Sequence, residues 1–267
     1  LKPFKNLEDI LLAPARFGRR QPKSRSTNLQ ENPTGGILTA CHSPAMRILV
    51  ISDIHANQTA LEAVLHAAGE VEAHWCLGDI VGYGPDPNEC VERVCSLSNL
   101  TCILGNHDAA ALNRIDTETF NPEARQAIEW TQSVLTESNR RFLSNLPEIV
   151  LKDQVTLVHG SPRHSIWEYL LDTRTAAVNF EYFRTPYCFV GHTHYPVIFQ
   201  RSEEQPLVRL RTLEPNTTLK LEPRAIVNPG SVGQPRDRDP RASFAIFDSE
   251  QDLWEYHRVE YEIPDVQ

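Results

Sequence analysis

Residues 47–55 have the sequence Arg-Ile-Leu-Val-Ile-Ser-Asp-Ile-His, an apolar run that ends in an aspartate and a histidine. A run of this length and composition is typical of a strand that is covered on both faces. Downstream, helical spacing at 58–68 and 88–96 alternates with further strand patterns at 73–77 and 101–104. Strands that alternate with helices predict βαβ units, and therefore a sheet that is partly parallel.

The middle and the end of the chain have different patterns. Residues 122–146 form a long amphipathic segment, and Asn121 followed by Pro122 is a typical helix start, with asparagine as the cap. From residue 148 onward nine short strand patterns follow one another, without internal repeats. The prediction is an α/β (α+β) fold with a helical insertion at about 109–146 after the third strand and a strand-rich second half.

Length and composition are those of one globular domain. The chain has 267 residues, of which 40% are hydrophobic, and no apolar run reaches the roughly 18 residues that a membrane-spanning helix needs, so no membrane contact is predicted. The net charge of −9 argues against long nucleic acid as a partner, but metal ions could still attract a small phosphate ester. Six cysteines without a Cys-x-x-Cys pair are typical of reduced thiols, which predicts a cytoplasmic location.

Residues 1–45 differ in composition from the rest. They carry seven Lys/Arg and three Asp/Glu, a net charge of +4, whereas residues 46–267 carry 19 and 32, a net charge of −13. The only methionine, Met46, stands directly before the first strand pattern. We therefore expect a folded domain at 46–267 and a tail at 1–45 that folding does not need. Upstream translated sequence, a disordered arm and an organelle-targeting peptide all stay open for the tail.

Polar residues recur directly after the apolar runs. Because ligands of open α/β sheets gather at the carboxyl ends of the strands, these residues are expected to meet in one crevice. They form five blocks: Asp53-Ile54-His55, Gly78-Asp79, Gly105-Asn106-His107-Asp108, His159-Gly160 and Gly191-His192-Thr193-His194. The glycines in these blocks permit sharp turns and close backbone approach at the strand ends.

The residue types in these blocks indicate metal chemistry. Imidazole and carboxylate together suit borderline divalent ions such as Mn, Fe or Zn. One aspartate can bridge two ions, and two ions about 3.5–4 Å apart stabilise both the attacking and the leaving oxygen in phosphoryl transfer. A single histidine is more often an ordinary surface or core residue, and we assign that role to the histidines outside the blocks: His42, His66, His74, His164 and His257.

In this order the five blocks resemble those of the calcineurin-like metallophosphoesterase superfamily. The likeness is closest to its small prokaryotic phosphodiesterase branch, which Asn228-Pro229-Gly230-Ser231 also resembles, and it covers roughly residues 46–247. The resemblance implies a two-sheet β-sandwich flanked by helices, and a phosphodiesterase in which a hydroxide between two metals attacks a small phosphate ester. The implied cofactors are two divalent ions, with manganese favoured and Fe, Zn, Ni, Co or Mg as alternatives.

The resemblance also implies a role for each matching residue. The metal ligands fall into two sets joined by a bridging residue: Asp53, His55 and His194 on one metal, Asn106, His159 and His192 on the other, and Asp79 between them. His107 would stabilise the phosphate or protonate the leaving group, and Asp108 would orient the His107 ring. A histidine titrates in the range that such an acid needs, and a neighbouring carboxylate favours its protonated form.

Other functions stay open at this stage. The same fold serves as a noncatalytic protein-interaction scaffold in the retromer coat subunit, where catalytic residues are altered, whereas every matching position is intact here. A nucleotide or dinucleotide phosphohydrolase, a protein phosphatase or a monoesterase would differ from a phosphodiesterase in substrate rather than in chemistry. The sequence leaves the substrate, the metals and the oligomeric state open.

Three segments beside the blocks each have two interpretations. Residues 80–88, rich in Gly and Pro, either line a substrate groove or form a rigid turn. The segment 109–146 either caps the crevice or covers the sheet. We interpret residues 228–236 as a structural turn, with contact between Arg236 and a phosphate as the alternative.

Overall fold

The computed structural model describes residues 46–202 and 207–263, so the expectation for residues 1–45 lies outside the described residues. The helices in chain order are α1 (Gln58–Ala68), α2 (Pro87–Cys95), α3 (Asn106–Ala111), α4 (Pro122–Val134), α5 (Glu137–Ser144) and α6 (Thr173–Asn179). The strands are β1 (Arg47–Ile51), β2 (Ala73–Cys76), β3 (Leu100–Cys102), β4 (Ile149–Lys152), β5 (Val155–Val158), β6 (Tyr187–Phe189), β7 (Val197–Arg201), β8 (Val208–Thr212), β9 (Thr217–Lys220), β10 (Ala225–Asn228), β11 (Ala242–Asp248) and β12 (Leu253–Val259). Every predicted strand is present, with ends that differ by one or two residues.

The strands form two six-stranded mixed sheets, which confirms the predicted two-sheet architecture. The first sheet has the order β3-β2-β1-β11-β12-β9, and the second has the order β4-β5-β6-β10-β7-β8. In the first sheet β1, β2 and β3 run parallel, as expected of βαβ units, and β11 joins β1 antiparallel. In the second sheet β5, β6 and β10 run parallel. Each sheet therefore has three neighbouring parallel strands, whose carboxyl ends lie at one edge of that sheet.

Alternation along each strand places one apolar face between the sheets and the other under the helices. In β1, Ile48 and Val50 belong to the core between the sheets, whereas Leu49 and Ile51 pack with α1 and α2. Large aromatic residues fill the middle of the inter-sheet core: the Phe189 ring centroid lies 4.9 Å from that of Trp254 and 5.1 Å from that of Phe247. Each such buried side chain contributes about 1.5–3 kcal/mol of hydrophobic stabilisation. A third core packs α6 against the outer face of the second sheet.

The segment between β3 and β4 is helical, as predicted, but it is not one continuous helix. Asn121 caps α4 by accepting a hydrogen bond from the Ala124 N–H at 2.8 Å. The chain leaves the helical region at Leu135 (φ −58°, ψ 128°), and Thr136 caps α5. The threonine cap was present in the sequence, but the apolar spacing continues across it and concealed the break. The short helices α3 and α6 were not predicted.

In the part of the chain that the structure describes, no helix combines the length and the apolar character needed to cross a membrane.

Candidate metal centre

The five polar blocks meet at one end of the two sheets. The blocks follow β1, β2 and β3 of the first sheet and β5 and β6 of the second, so parallel strands deliver all of them to the same edge. All seven predicted ligands lie there, each at most 2% exposed, and together we call them the donor cluster: Asp53, His55, Asp79, Asn106, His159, His192 and His194.

One part of the donor cluster joins the first and the last block. The Nε2 atoms of His55 and His194 lie 3.1 Å apart. The Asp53 Oδ1 atom is 3.3 Å from the His194 Nε2 and 4.0 Å from the His55 Nε2. The three side chains can each present one ligand atom to a single ion. Two nitrogens and one carboxylate oxygen suit a borderline divalent metal.

The second part of the donor cluster centres on His159. Its Nε2 atom is 3.2 Å from the Asp79 Oδ2 and 3.0 Å from the Asn106 Oδ1. His192 completes a second trio with Asp79 and His159. The same Asp79 Oδ2 is 3.8 Å from the His55 Nε2, so this carboxylate lies between the two parts. A carboxylate in this position can face both parts of the donor cluster.

Each of the four histidines uses one ring nitrogen to bond a backbone carbonyl. The pairs and their distances are His55 with Val81 at 3.2 Å, His159 with Leu77 at 2.7 Å, His192 with Trp167 at 3.2 Å and His194 with Gln234 at 2.5 Å. Since a carbonyl oxygen only accepts, that nitrogen carries a proton in each ring, and in a neutral ring the other nitrogen is left with a free lone pair. Such second contacts set the tautomer and the ring orientation of metal-binding histidines.

The orientation of the His55 and His194 rings shows whether the site suits a cation. With Nδ1 protonated in His55 and His194, the two Nε2 lone pairs face each other across 3.1 Å, with the Asp53 carboxylate beside them. Buried acceptors that face one another repel unless a positive charge lies between them. The donor cluster therefore suits metal ions, and nitrogen and oxygen ligands in this mixture favour transition metals over Ca²⁺.

The pKa values of the ring nitrogens agree with this conclusion. Burial lowers the pKa of His55 and His194 well below the ordinary value and that of His192 to about 3, so the three rings are neutral at pH 7. His159 differs: burial alone lowers its pKa, but the adjacent Asp79 carboxylate outweighs that effect and raises it to about 10. A cation is thus stabilised between His159 and Asp79, whether that cation is a proton or a metal ion.

Five members of the donor cluster have left-handed backbone conformations. Their φ angles are 53° for Asp53, 50° for His55, 54° for Asp79, 66° for His192 and 62° for His194. For residues other than glycine this region costs of the order of 1–3 kcal/mol each, and it is retained mainly where function requires it. At His192 and His194 the left-handed φ angles belong to an irregular turn after β6, and both rings lie within the donor cluster.

Close backbone approach explains the glycines at two of the strand ends. A Cβ atom on Gly105 would lie 2.1 Å from the Asp79 Oδ1, and one on Gly191 would lie 2.0 Å from the Ser52 Oγ and 2.9 Å from the Asp53 Oδ2. No larger residue fits at either position without displacing a ligand.

The segment 228–236 is mainly structural, as we interpreted it. The Gly233 N–H and the Ser231 hydroxyl both donate to the Asp53 carbonyl, at 3.0 and 2.8 Å. The Gln234 carbonyl holds the His194 ring, as described above. This turn therefore orients two ligands of the first metal set from outside the five blocks.

His107 lies beside the donor cluster, at the start of α3. Its ring can join His55 and Asp79 within the distance of a shared ion, and its backbone N–H donates to the Asp79 Oδ1 at 2.8 Å. Burial lowers its pKa to about 4, so the ring is neutral at pH 7 in the absence of a phosphate. Its Nδ1 atom is buried and has no hydrogen-bond partner among the described residues.

Asp108 does not orient the His107 ring, and that expectation is wrong. The Asp108 carboxylate instead accepts four backbone N–H groups: from Asp79 at 2.8 Å, Ile80 at 2.9 Å, Val81 at 3.1 Å and Gly105 at 3.1 Å. These hydrogen bonds therefore hold the loop after β2 against the start of α3. A residue next to His107 in sequence points away from it on a helix, because successive side chains are about 100° apart.

A cavity of about 380 Å³ opens beside the donor cluster. We call it the aromatic pocket, because four of its eight lining residues are aromatic rings other than histidine: Tyr83, Phe120, Trp167 and Tyr169, together with Asn106, His107, Thr119 and Asn121. Tyr83 belongs to the Gly/Pro-rich loop 80–88, and Thr119 to Asn121 belong to the helical insertion, so both segments border the site. Phe120, Trp167 and Tyr169 were not singled out from the sequence. The sequence did offer one signal for this pocket: two aromatic residues, at 167 and 169, lie close together in a segment without strand or helix periodicity.

Arg236 approaches the centre from the side of Tyr83. Its guanidinium contacts the Gln234 Oε1 at 2.8 Å and the Tyr83 hydroxyl at 3.5 Å. Among the described residues no carboxylate forms an ion pair with it. An arginine without an acidic partner beside a candidate metal centre is available for an anion such as phosphate.

Comparisons with known proteins agree with this geometry. The model of the calcineurin-like phosphoesterase superfamily domain matches residues 46–252. An uncharacterized protein of Methanocaldococcus jannaschii is 42% identical over 223 residues, which are 81% of this chain and 88% of that protein. A solved metallophosphoesterase from Sphaerobacter thermophilus is 50% identical with a TM-score of 0.75, and the match covers 83% of this chain and 91% of that one.

A more distant structure, a hypothetical protein from Pyrococcus horikoshii OT3, shares the fold at 22% identity. Its TM-score is 0.67, over 82% of this chain and 90% of that one. The family match spans more than half of the chain and includes all five polar blocks. The chain belongs to the calcineurin-like phosphoesterase superfamily.

Proposed function

We propose that this protein is a dinuclear-metal-dependent phosphodiesterase that hydrolyses a small phosphate ester. The observation that carries the proposal is the position of Asp79, whose Oδ2 lies 3.2 Å from the His159 Nε2 and 3.8 Å from the His55 Nε2. A single buried carboxylate between two sets of nitrogen and oxygen donors is the arrangement that a pair of bridged ions requires.

The assignment of ligands follows the two parts of the donor cluster. Asp53, His55 and His194 would hold one ion, with Asp79 shared. Asn106, His159 and His192 would hold the other. When bound, the ions would neutralise charge on the phosphate and activate a water as the nucleophile. Manganese is our first candidate, and Fe, Zn, Ni, Co and Mg remain alternatives because the donor types do not separate them.

Two side chains are placed to act on the phosphate itself. The neutral His107 ring can donate a hydrogen bond to a phosphate or leaving-group oxygen. A phosphate nearby would raise its pKa from about 4 toward the range of a proton donor. Arg236, which lacks an acidic partner among the described residues, would contact a further phosphate oxygen.

The surroundings favour a diester over a monoester. A monoester carries a second negative charge, and among the described residues Arg236 is the arginine whose charge acts on Asp53, His55 and His194. A diester carries one charge and a second organic group, and the aromatic pocket offers about 380 Å³ of space for that group next to Asn106 and His107. This supports the phosphodiesterase reading over the monoesterase and protein phosphatase alternatives.

The test is hydrolysis of bis(p-nitrophenyl) phosphate and of p-nitrophenyl phosphate by the full chain, first stripped of metal and then with added manganese. We expect turnover to return with metal, to require two ions per chain by elemental analysis, and to favour the diester. Two bound ions with no turnover of either ester would favour a noncatalytic scaffold, whereas faster monoester turnover would reverse the substrate class.

A further inference from the structure

We infer that the aromatic pocket recognises a planar aromatic group of the substrate, and that a nucleotide is the substrate class that fits it. This inference rests on the proposed function, because it names the substrate for the same site. The pocket shares Asn106 and His107 with the centre, so a group bound in it would be attached to a phosphate at the metals.

The pocket wall is a continuous series of ring contacts. The His107 ring centroid is 4.8 Å from that of Tyr83 and 5.0 Å from that of Phe120, and Phe120 is 4.8 Å from Trp167. On the other side, Tyr169 stacks on the His192 ring at 3.9 Å. The rings therefore support one another and lose little conformational freedom when a ligand binds.

The chemistry of the wall disfavours other organic groups. No lining residue is charged, and the cation Arg236 contacts the wall at the Tyr83 hydroxyl, so a charged group would find a partner at that edge and not among the other rings. No lining residue is aliphatic either, which disfavours an alkyl chain or a lipid tail. Ring faces with a few amides and hydroxyls suit a flat, uncharged group that carries polar edges, and a nucleobase has that character.

Polar groups are available at the edge of the pocket. The Asn121 Oδ1 accepts the capping bond of α4, which leaves its amide N–H₂ group free of any bond among the described residues. The Trp167 carbonyl and the Asn106 side chain are engaged with the donor cluster. The free amide would contact a base edge, while stacking on the rings would supply most of the binding.

The experiment compares two ligands that differ at one position of the sugar, which carries a base in one and a hydroxyl in the other. Adenosine 5′-monophosphate and ribose 5-phosphate carry the same phosphate and sugar, and each is measured as a competitive inhibitor of bis(p-nitrophenyl) phosphate turnover by the manganese-loaded full chain. We expect the nucleotide to inhibit about 10- to 100-fold more tightly, the range that stacking of one base on aromatic side chains produces.

Two variants locate the effect in the pocket. In Phe120→Leu and in Trp167→Leu the ratio of the two inhibition constants should fall to about 3 or less, because each change removes one of the rings on which a base would stack. The matched control is Trp130→Leu, which removes a tryptophan that is 43% exposed on α4 and does not line the pocket. This control should keep the wild-type ratio. Because the readout is a ratio, a general loss of activity in a variant does not affect it.

The outcomes separate this inference from the proposed function. If the wild-type protein turns over the diester but the ratio of the two inhibition constants is near one, the pocket assignment is wrong and the phosphoesterase activity stands. The same conclusion follows if the ratio is high and neither pocket variant lowers it. Absence of turnover overturns the proposed function, and the same two ligands are then compared by titration calorimetry on the metal-loaded chain. If the nucleotide binds more tightly in that titration and the two pocket variants remove the difference, the pocket recognises the base even though no ester is hydrolysed.

Discussion

The donor cluster and the aromatic pocket are neighbours that share Asn106 and His107, yet they are built in different ways. Every member of the donor cluster is at most 2% exposed and follows a strand of one of the two sheets. The aromatic pocket is open to solvent and is lined from loops, from the short 3₁₀ turn Thr117–Thr119 and from the first two residues of α3. Tyr169, for example, is 44% exposed.

The difference concerns what holds each region in place. The donor cluster depends on left-handed backbone at five ligands, on carbonyls that orient the rings and on amides that hold the Asp108 carboxylate. The aromatic pocket depends on contacts between side chains that can be exchanged without moving the backbone. We therefore expect changes in the donor cluster to affect all esters alike, and changes in the pocket to affect the choice among esters.

The largest expected effect is that of Asp79→Asn. Asparagine tolerates the left-handed φ of 54° and keeps an oxygen for the His107 N–H, so the change removes the charge with little strain. Without the bridging carboxylate we expect turnover of every ester to fall by more than about 10³-fold and bound metal to decrease. Turnover and elemental analysis measure the two effects.

Asp86→Asn is the control for that change, since Asp86 precedes α2 and makes no side-chain capping bond. It should retain activity and two metals. If Asp79→Asn kept two tightly bound ions and near-normal turnover, the bridging role of Asp79 would be refuted.

The next effect concerns His107, which lies on the boundary between the two regions. His107→Ala should keep both metals, because all seven members of the donor cluster remain. Turnover should slow by about 10²- to 10⁴-fold if His107 is the acid. His66→Ala, an exposed histidine on α1, is the control. Metal content equal to wild type together with full activity would remove His107 from the mechanism, and loss of metal would make it a ligand.

Asp108→Asn tests the corrected role of that residue. An amide cannot accept four N–H groups, and its own N–H₂ would face donors, so we expect a loss of about 1–3 kcal/mol in the free energy of unfolding. Since Asp108 holds the backbone of Asp79, metal affinity should also fall, by about 10–100-fold. Denaturant unfolding and metal titration measure these effects. Unchanged stability with an altered pH profile of turnover would restore the ring-orienting role.

The smallest expected effect concerns the loop that carries Trp167 and Tyr169. Partial burial alone raises the pKa of Glu168, but hydrogen bonds from Arg163, Ser161 and Asn179 outweigh it and lower the pKa to about 2. This stabilisation is fully present above the unfolded-state pKa near 4.5 and is lost as the pH falls toward 2.

Glu168→Gln should therefore lower the Tm of the metal-free chain at pH 7 by about 2–4 °C, the shift that roughly 1 kcal/mol produces. The difference from wild type should shrink at pH 3.5. Glu129→Gln, on the exposed side of α4, is the control. A difference that stays constant across this pH range would mean that the carboxylate charge does not stabilise the loop.

Much of the fold was predictable because its signals are local. The strand patterns, the helix α1 and the cap at Asn121 were all placed correctly from apolar spacing and from residue type. The helix α3 was missed because its six residues are largely the polar block itself and show no amphipathic period. The break at Leu135 was missed because the spacing continues across it, although the backbone does not.

The sequence by itself determined which residue types follow the strands, and so the presence of a site rich in histidine and aspartate at one edge of the sheets. The reason is that parallel strands place their carboxyl ends on one side, whatever the details of packing. The family resemblance added the division of these residues into two ligand sets, which stays a prediction.

Only the tertiary structure decided which groups hold the ligands and what lies beside them. The direction of the Asp108 carboxylate, the carbonyls of Val81 and Gln234, and the meeting of Phe120 with Trp167 join segments distant in sequence. Such contacts depend on backbone angles and loop paths that no local pattern encodes. For that reason the chemistry of the centre was apparent from the sequence, whereas the substrate pocket became apparent only in the fold.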